Sequence, residues 1–242
     1  MRTRRMASRI PRIAMLLSAG CLALASLAGA VPAWADDLLE AQQLVEKARI
    51  AFEGFLADPQ MGDPMRSIVQ RAKAVLIYPQ VLRVAFVVGA SGGSGVLLAR
   101  DQQANAWGGP AFYTIGQGSV GPQIGGDAAD VVLVALTDRG VSALLSTSAK
   151  LGVDVGVALG PVGMGAEAST ANLSVDVVSY SRAQGLYAGA SLNGAAVVSR
   201  DAMNRAYYGK DVSPTSILMY REVSNPHAAP LIEAVAKVAA GK

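Results

Sequence analysis

The chain has 242 residues, of which 52% are hydrophobic, 16% charged and 5% aromatic, with 26 glycines. Charge is low and glycine high beside the about 25% and about 7% usual in soluble domains. A chain this apolar still buries enough surface to offset its ordering entropy, which excludes intrinsic disorder. The formal net charge is +3, but the first 35 positions hold five arginines (Arg2, Arg4, Arg5, Arg9, Arg12) and no acid. Without them 16 basic side chains face 18 acidic ones, a net charge of −2, so charge balance gives no case for a nucleic-acid partner.

Residues 1–35 read as a secretory signal peptide. A basic start leads into the apolar run 13–31 and ends in Ala33-Trp34-Ala35 before Asp36-Asp37. Ser18-Ala19-Gly20-Cys21 offers an alternative, a lipoprotein cleavage site that leaves a lipidated Cys21. Against it, Ser18 stands where a larger aliphatic is usual, and the apolar run continues past Cys21. Arg4-Arg5 is a twin-arginine pair, but Ala7 and Ser8 follow in place of hydrophobic residues. The expected location is outside the cytoplasm, in the periplasm or at a membrane of the cell envelope, either cut after Ala35 or held through Cys21. Cys21 is the single cysteine and His227 the single histidine. Cys/His zinc sites, thiol catalysis after cleavage and haem held by paired histidines are thereby excluded, and neither a metal nor a cofactor is expected.

An amphipathic helical segment, 36–59, precedes a domain spanning 60–242. Within it Leu38, Ala41, Val45, Ala48, Phe52 and Phe55 fall at helical spacing. The opposite face mixes Glu40, Glu46 and Glu53 with Lys47 and Arg49, where a membrane-surface helix is richer in Lys and Arg; the helix is expected to pack on the domain. Asp63-Pro64 reads as an N-cap with proline at the first helical position. The second helix then runs to about Leu76, with Met65, Ile68, Val69, Ala72 and Val75 inward. Its other face carries Arg66, Gln70 and Lys73, with Arg71 alongside and Arg83 in the loop beyond. This is the one locally basic stretch after residue 35, readable as a solvated helix face or as a docking surface for anionic headgroups.

From residue 84 the pattern turns to strands. Runs at 84–89 and 95–100 flank Ala90-Ser91-Gly92-Gly93-Ser94, read as a turn. Further strands fall at 111–115, 131–136, 152–159, 163–168, 174–181, 186–192 and 195–199. A helix at 137–150 opens on Thr137 as N-cap. Asn193-Gly194 is the strongest hairpin signal. Helical pieces at 201–208, 214–220 and 230–240 close the chain. The class is therefore α+β: N-terminal helices, a mostly antiparallel, Gly-rich β core of barrel- or sandwich-like form, and C-terminal helices. No segment after the signal has the roughly 18 uninterrupted apolar residues of a spanning helix. Thirteen aromatics cannot supply the two girdles of a membrane β-barrel.

Two catalytic patterns match and fail. Gly89-Ala90-Ser91-Gly92-Gly93 satisfies G-x-S-x-G, but the nucleophile elbow needs a helix after the serine, and Val96-Leu97-Leu98 reads as a strand. Gly116-Gln117-Gly118-Ser119-Val120-Gly121 satisfies G-x-G-x-x-G, yet Pro122 and Gly125-Gly126 follow where a helix must open on the pyrophosphate. The carboxylates Asp127, Asp130, Asp138, Asp154, Glu167 and Asp176 are scattered among strands, and Asp130 reads as a cap or an arginine partner. The chain is expected not to be an enzyme.

Ordered blocks carry a family resemblance. Ala72-Lys73-Ala74-Val75-Leu76-Ile77-Tyr78-Pro79, Phe86-Val87-Val88-Gly89 and Gly95-Val96-Leu97-Leu98-Ala99-Arg100 are similar to the opening of the SYLF domain. Trp107, Pro110-Ala111-Phe112, the block 118–125 and Asp130-Val131-Val132-Leu133-Val134 continue it. Ser179-Tyr180-Ser181-Arg182, Gly185-Leu186-Tyr187-Ala188-Gly189 and Asn204-Arg205-Ala206-Tyr207-Tyr208-Gly209 complete it, across about residues 60–220. The resemblance implies a lipid-binding module. Eukaryotic members associate with phosphoinositide-bearing membranes, some yeast members bind actin, and bacterial members are typically exported. The expected partner is an anionic lipid or membrane surface, with Arg66, Arg71, Lys73 and Arg83 chosen as contacts on local charge. A protein of the cell envelope is the alternative partner, met through the Gly-rich segments.

Overall fold

The apolar spacing of the first helical segment becomes α1, Ala33–Ala57, in the computed structural model, which describes residues 33–85, 88–101, 104–120, 125–160, 175–183 and 192–242. Residues 1–32 of the expected signal peptide, with Cys21, the strand expected at 163–168 and all but the last residue of the one expected at 186–192 lie outside them. Ala41, Val45, Ala48, Phe52 and Phe55 are buried, as the spacing predicts. The turn that follows is capped by Asp58, whose Oδ1 accepts from the backbone N–H groups of Gln60 (2.8 Å) and Met61 (3.1 Å). α2, Gly62–Gln70, begins there. Asp63 is thus not the cap but a first-turn acid, and its carboxylate lies 3.6 Å from the Arg66 guanidinium.

α2 also stops six residues before the expected end. The run Val75-Leu76-Ile77-Tyr78 belongs to β1, Ala74–Ala85, and Arg83 lies in this strand rather than in a loop. A short apolar run does not distinguish a buried strand from a buried helix turn, and here ladders on both sides decide. β1 pairs with β2, Val88–Asp101, and with β4, Gly125–Ala135, both antiparallel. The register breaks near Pro79-Gln80, where proline has no N–H for a ladder.

β3 is Ala106–Val120. After β4 comes α3, Asp138–Leu145, whose N-cap Thr137 accepts from the Gly140 N–H at 3.0 Å. Residues 148–150, expected in that helix, form β5, Ser148–Lys150. β6 is Val157–Leu159, β7 Val177–Ala183 and β8 Ala196–Ser199. The C-terminal elements are α4, Asp201–Tyr208, α5, Pro214–Leu218, a short 3-10 turn at Pro226–Ala228, and α6, Ala229–Ala239.

The strand order is β5-β8-β3-β2-β1-β4-β7-β6, antiparallel throughout the described pairings except for parallel β6–β7. The sheet curls into a half-barrel, so the fold is α+β with the barrel-like form of the expected core. Both faces are buried over most of its width. Val75, Ile77, Val96, Phe112 and Val132 meet Phe52 and Phe55 of α1, Met65 of α2 and Val235 of α6 on the helix face. Leu76, Tyr78, Leu97, Tyr113 and Leu133 meet Leu144 of α3 and Ile217 of α5 on the inner face. The Gly-Ser stretch 90–94, read as a turn, is the paired interior of β2. Alternation supports that, since Gly93 and Gly95 leave room on the inner face. A Cβ on Gly95 would run into the Tyr78 ring and one on Gly93 into the Gln80 carbonyl.

Candidate functional site

The sequence-predicted cations do not form one group. Arg66 and Arg71 are exposed on α2 and at its C-cap. Lys73 follows, its Nζ 2.7 Å from Asp138 Oδ1. At the same end Arg100 donates from Nη1 to the Gln70 carbonyl (3.2 Å) and from Nε to Asn105 (3.0 Å). This arginine was not singled out in the sequence, because it closes a strand 30 residues on. Its register position beside the Lys73 carbonyl, which accepts from its backbone N–H at 2.8 Å, brings it back. Arg71 has no acidic partner within 4 Å among the described residues, whereas Arg66 and Lys73 do.

Arg83 lies apart. Ten residues of strand separate it from Lys73, about 30 Å at roughly 3.3 Å per residue. It stands on the inner side, in register with Asp127 of β4 and Ser91 of β2. One of its guanidinium nitrogens, Nη2, and Asp127 Oδ2 are buried without hydrogen-bond partners. Ser91 sits in mid-strand in β2 with no helix opening after it, so the elbow geometry is absent. Gly116 to Val120 are strand as well, which leaves no helix dipole behind those glycines.

Asp130, Asp154 and Asp176 have structural partners. Asp130 takes the Arg182 guanidinium at 2.7 Å, the arginine partnership expected for it. Asp176 accepts from Thr137 Oγ1 (2.7 Å) and the Gly156 N–H (3.2 Å). Asp154 accepts from the Lys150 N–H at 2.7 Å. Glu167 lies outside the described residues. His227 sits between Tyr207 (Nδ1 to hydroxyl, 3.3 Å) and Glu46 (Nε2 to Oε1, 3.7 Å), joining α1 to the C-terminal turn. No group of three or more His, Cys, Asp or Glu side chains suits a metal among the described residues. No described helix is long and apolar enough to cross a membrane.

Blocks that carry the family resemblance act in packing. Asn204 Oδ1, fully buried, accepts from the Phe112 N–H at 2.9 Å. Tyr208 donates to the Pro110 carbonyl at 2.7 Å, after a cis Gly109–Pro110 bond. Tyr180 reaches the Pro64 carbonyl at 3.4 Å, and burial pushes its phenol up to about 12. Gly209 ends α4 in the left-handed region, φ 71°.

Comparison with known proteins agrees with this architecture. Residues 116–238 match the Ysc84 family model, described as Las17-binding protein actin regulator. The chain is 32% identical to the protein YSC84 of Saccharomyces cerevisiae over 170 residues, 68% of this chain and 36% of that protein. It is 33% identical to the human SH3 domain-containing YSC84-like protein 1 over 153 residues, 62% of this chain and 44% of that protein. The chain spans less than half the length of these relatives. With just over half of its residues matched by the model, it belongs to the Ysc84 (SYLF) family.

Proposed function

We propose that this chain is a non-enzymatic, membrane-peripheral lipid-binding protein of the cell envelope, exported through its first 35 residues or held there through Cys21. Anionic headgroups meet the end of the molecule where α2 runs into β1. One observation carries the reading: Arg66, Arg71, Lys73 and Arg100 gather at that end, and Arg71 is exposed without an acidic partner within 4 Å among the described residues. Each Lys or Arg near an anionic surface is worth about 1 kcal/mol. Asp63 and Asp138 offset part of that for Arg66 and Lys73. Arg83, at the far end beside Asp127, is not part of this surface.

Vesicle co-sedimentation tests it. The protein binds anionic vesicles and not zwitterionic ones, and the double variant Arg66→Glu/Arg71→Glu weakens binding at least 10-fold. Retained binding in that variant refutes the headgroup mechanism. A second reading has a specific support: the family description names a protein partner, Las17. On that reading the surface meets a protein of the envelope, and capture from envelope extract by wild type but not by the double variant, with no vesicle binding, replaces the first reading.

A further inference from the structure

Glycine in a strand interior is unfavourable relative to alanine and marks either local crowding or close approach by another body. On the inner face of β2 crowding explains Gly93 and Gly95. On the opposite face it does not. A Cβ at Gly116 or Gly118 would meet nothing within 4 Å, and at Gly92 or Gly126 only a carbonyl oxygen at 3.4 Å. None of the four has a left-handed φ. Nothing inside the described chain requires glycine at these places.

They share one surface. Leu82 of β1 is in register with Gly92 and Ala128, and Gly92 with Gly116. Val84 is in register with Ala90 and Gly126, and Ala90 with Gly118. Val81 belongs to the inner core, so Leu82 and Val84 point to the helix side. They are 53% and 67% exposed. Among the described residues the result is a bare ledge at the far end of β1–β4: an aliphatic ridge formed by Leu82 and Val84 on β1, with a floor of Gly92, Gly116, Gly118, Gly126, Ala90 and Ala128 on its flanks.

The floor narrows the choice of occupant. β1 and β2 are paired on both sides here, so neither offers a free backbone edge for strand addition. Four strands about 4.8 Å apart and two rows about 7 Å apart give a surface on the order of 250 Å². A standard protein interface needs about 800 Å² from each partner. α1 borders the ledge on the same face, since Arg200 bonds both Glu40 of α1 (2.7 Å) and Ser94 of β2 (2.9 Å). A helix about 10 Å across standing there holds a flat bilayer off the floor. The geometry points to a binding site for the alkyl chain of a monomeric single-chain amphiphile, lying on Gly92, Gly116 and Gly118 against Leu82 and Val84. This site is separate from the basic end and does not depend on anionic headgroups.

Binding of cis-parinaric acid, a fluorescent fatty acid, below its aggregation concentration tests the site. The wild-type protein gives a saturable fluorescence rise, and Gly116→Val/Gly118→Val weakens binding at least 10-fold. Because those side chains enter open space, the variant keeps or raises its melting temperature, so lost binding is not lost folding. Leu82→Ser/Val84→Ser weakens binding by a similar factor. Arg66→Glu/Arg71→Glu leaves it unchanged while weakening vesicle binding, which separates failure of this site from failure of the headgroup reading. Unchanged affinity in the glycine variant overturns the proposal. So does a wild-type protein that self-associates in sedimentation velocity while the glycine variant stays monomeric, since the occupant is then a second copy.

Discussion

Arg182 joins three elements through one guanidinium. It bonds Asp130 of β4 at 2.7 Å, lies 5.4 Å over the Phe55 ring of α1, and closes the space above Gly54, where a Cβ would stand 2.6 Å from it. Asp130 is 10% exposed and Arg182 30%. Removing the cation alone therefore leaves a carboxylate stranded near the core. Arg182→Ala is expected to cost about 3 kcal/mol, lowering the melting temperature by about 6–12 °C for a chain of this size. Replacing both partners with apolar residues, as in Asp130→Val/Arg182→Met, is expected to cost less than the single change. Thermal unfolding of the two variants decides it, and a shift under 2 °C for Arg182→Ala removes the pair from the account of stability. The tyrosines give a second residue-scale expectation. Burial pushes Tyr180 up to about 12 and pushes Tyr78, Tyr113, Tyr207 and Tyr208 up as well. An unfolded tyrosine titrates near 10. Because the folded state favours the neutral phenol, this stabilisation is complete below pH 10 and is lost as the pH rises through 12. The phenolate absorbance of these five buried tyrosines is expected to appear together with loss of near-ultraviolet dichroism above pH 10. Ionisation of these five at pH 10 with the fold intact contradicts it.

At the scale of elements, glycines on the two faces of one strand part company. Gly95→Ala presses on the Tyr78 ring and Gly93→Ala on the Gln80 carbonyl, each an overpacking expected to cost about 1–3 kcal/mol. Gly116→Ala and Gly118→Ala meet no atom within 4 Å and are expected to stabilise by about 0.5–1 kcal/mol. Urea midpoints of the four variants check the sign at each position. The same glycines show where the sequence was legible and where it was not. α1 and α4 were readable because their apolar spacing or cap residues act locally, as Gly209 at φ 71° shows. Residues 90–94 were misread because a glycine's local preference points to a turn, while Gly118, the β3 ladder partner that holds Ala90 in β2 from its other side, is remote in sequence. Val75 to Tyr78 failed for the same reason, since the choice between helix and strand rests on pairing with β2 and β4. The basic end was half legible. Arg66, Arg71 and Lys73 are sequence neighbours, whereas Arg100 reaches them only through the β1–β2 register, and that register carries Arg83 away to the opposite end.

Across the whole molecule, the exposed cations Arg66 and Arg71 and the hydrocarbon surface of Leu82 and Val84 lie at opposite ends of β1–β4. Arg71 and Arg100 stand where β1 begins and β2 ends, and Leu82 and Val84 where β1 ends. The two surfaces differ in the force they offer. Attraction of exposed cations to an anionic surface is screened within about 30 Å at 0.01 M salt and about 3 Å at 1 M. Burial of an alkyl chain on the ledge depends on apolar area and is not weakened by simple salt; kosmotropic salts strengthen it. Raising sodium sulfate from 0.01 M to 0.5 M is therefore expected to release the protein from anionic vesicles while leaving cis-parinaric acid binding unchanged or tighter. Both readouts come from one preparation, so a change in folding would move them together. If vesicle binding persists at high salt and falls in Leu82→Ser/Val84→Ser, the far end of the sheet contacts the bilayer and the basic end does not. If both bindings fall with salt, the fatty acid is held by its carboxylate at a cationic side chain rather than by its chain on the glycine floor.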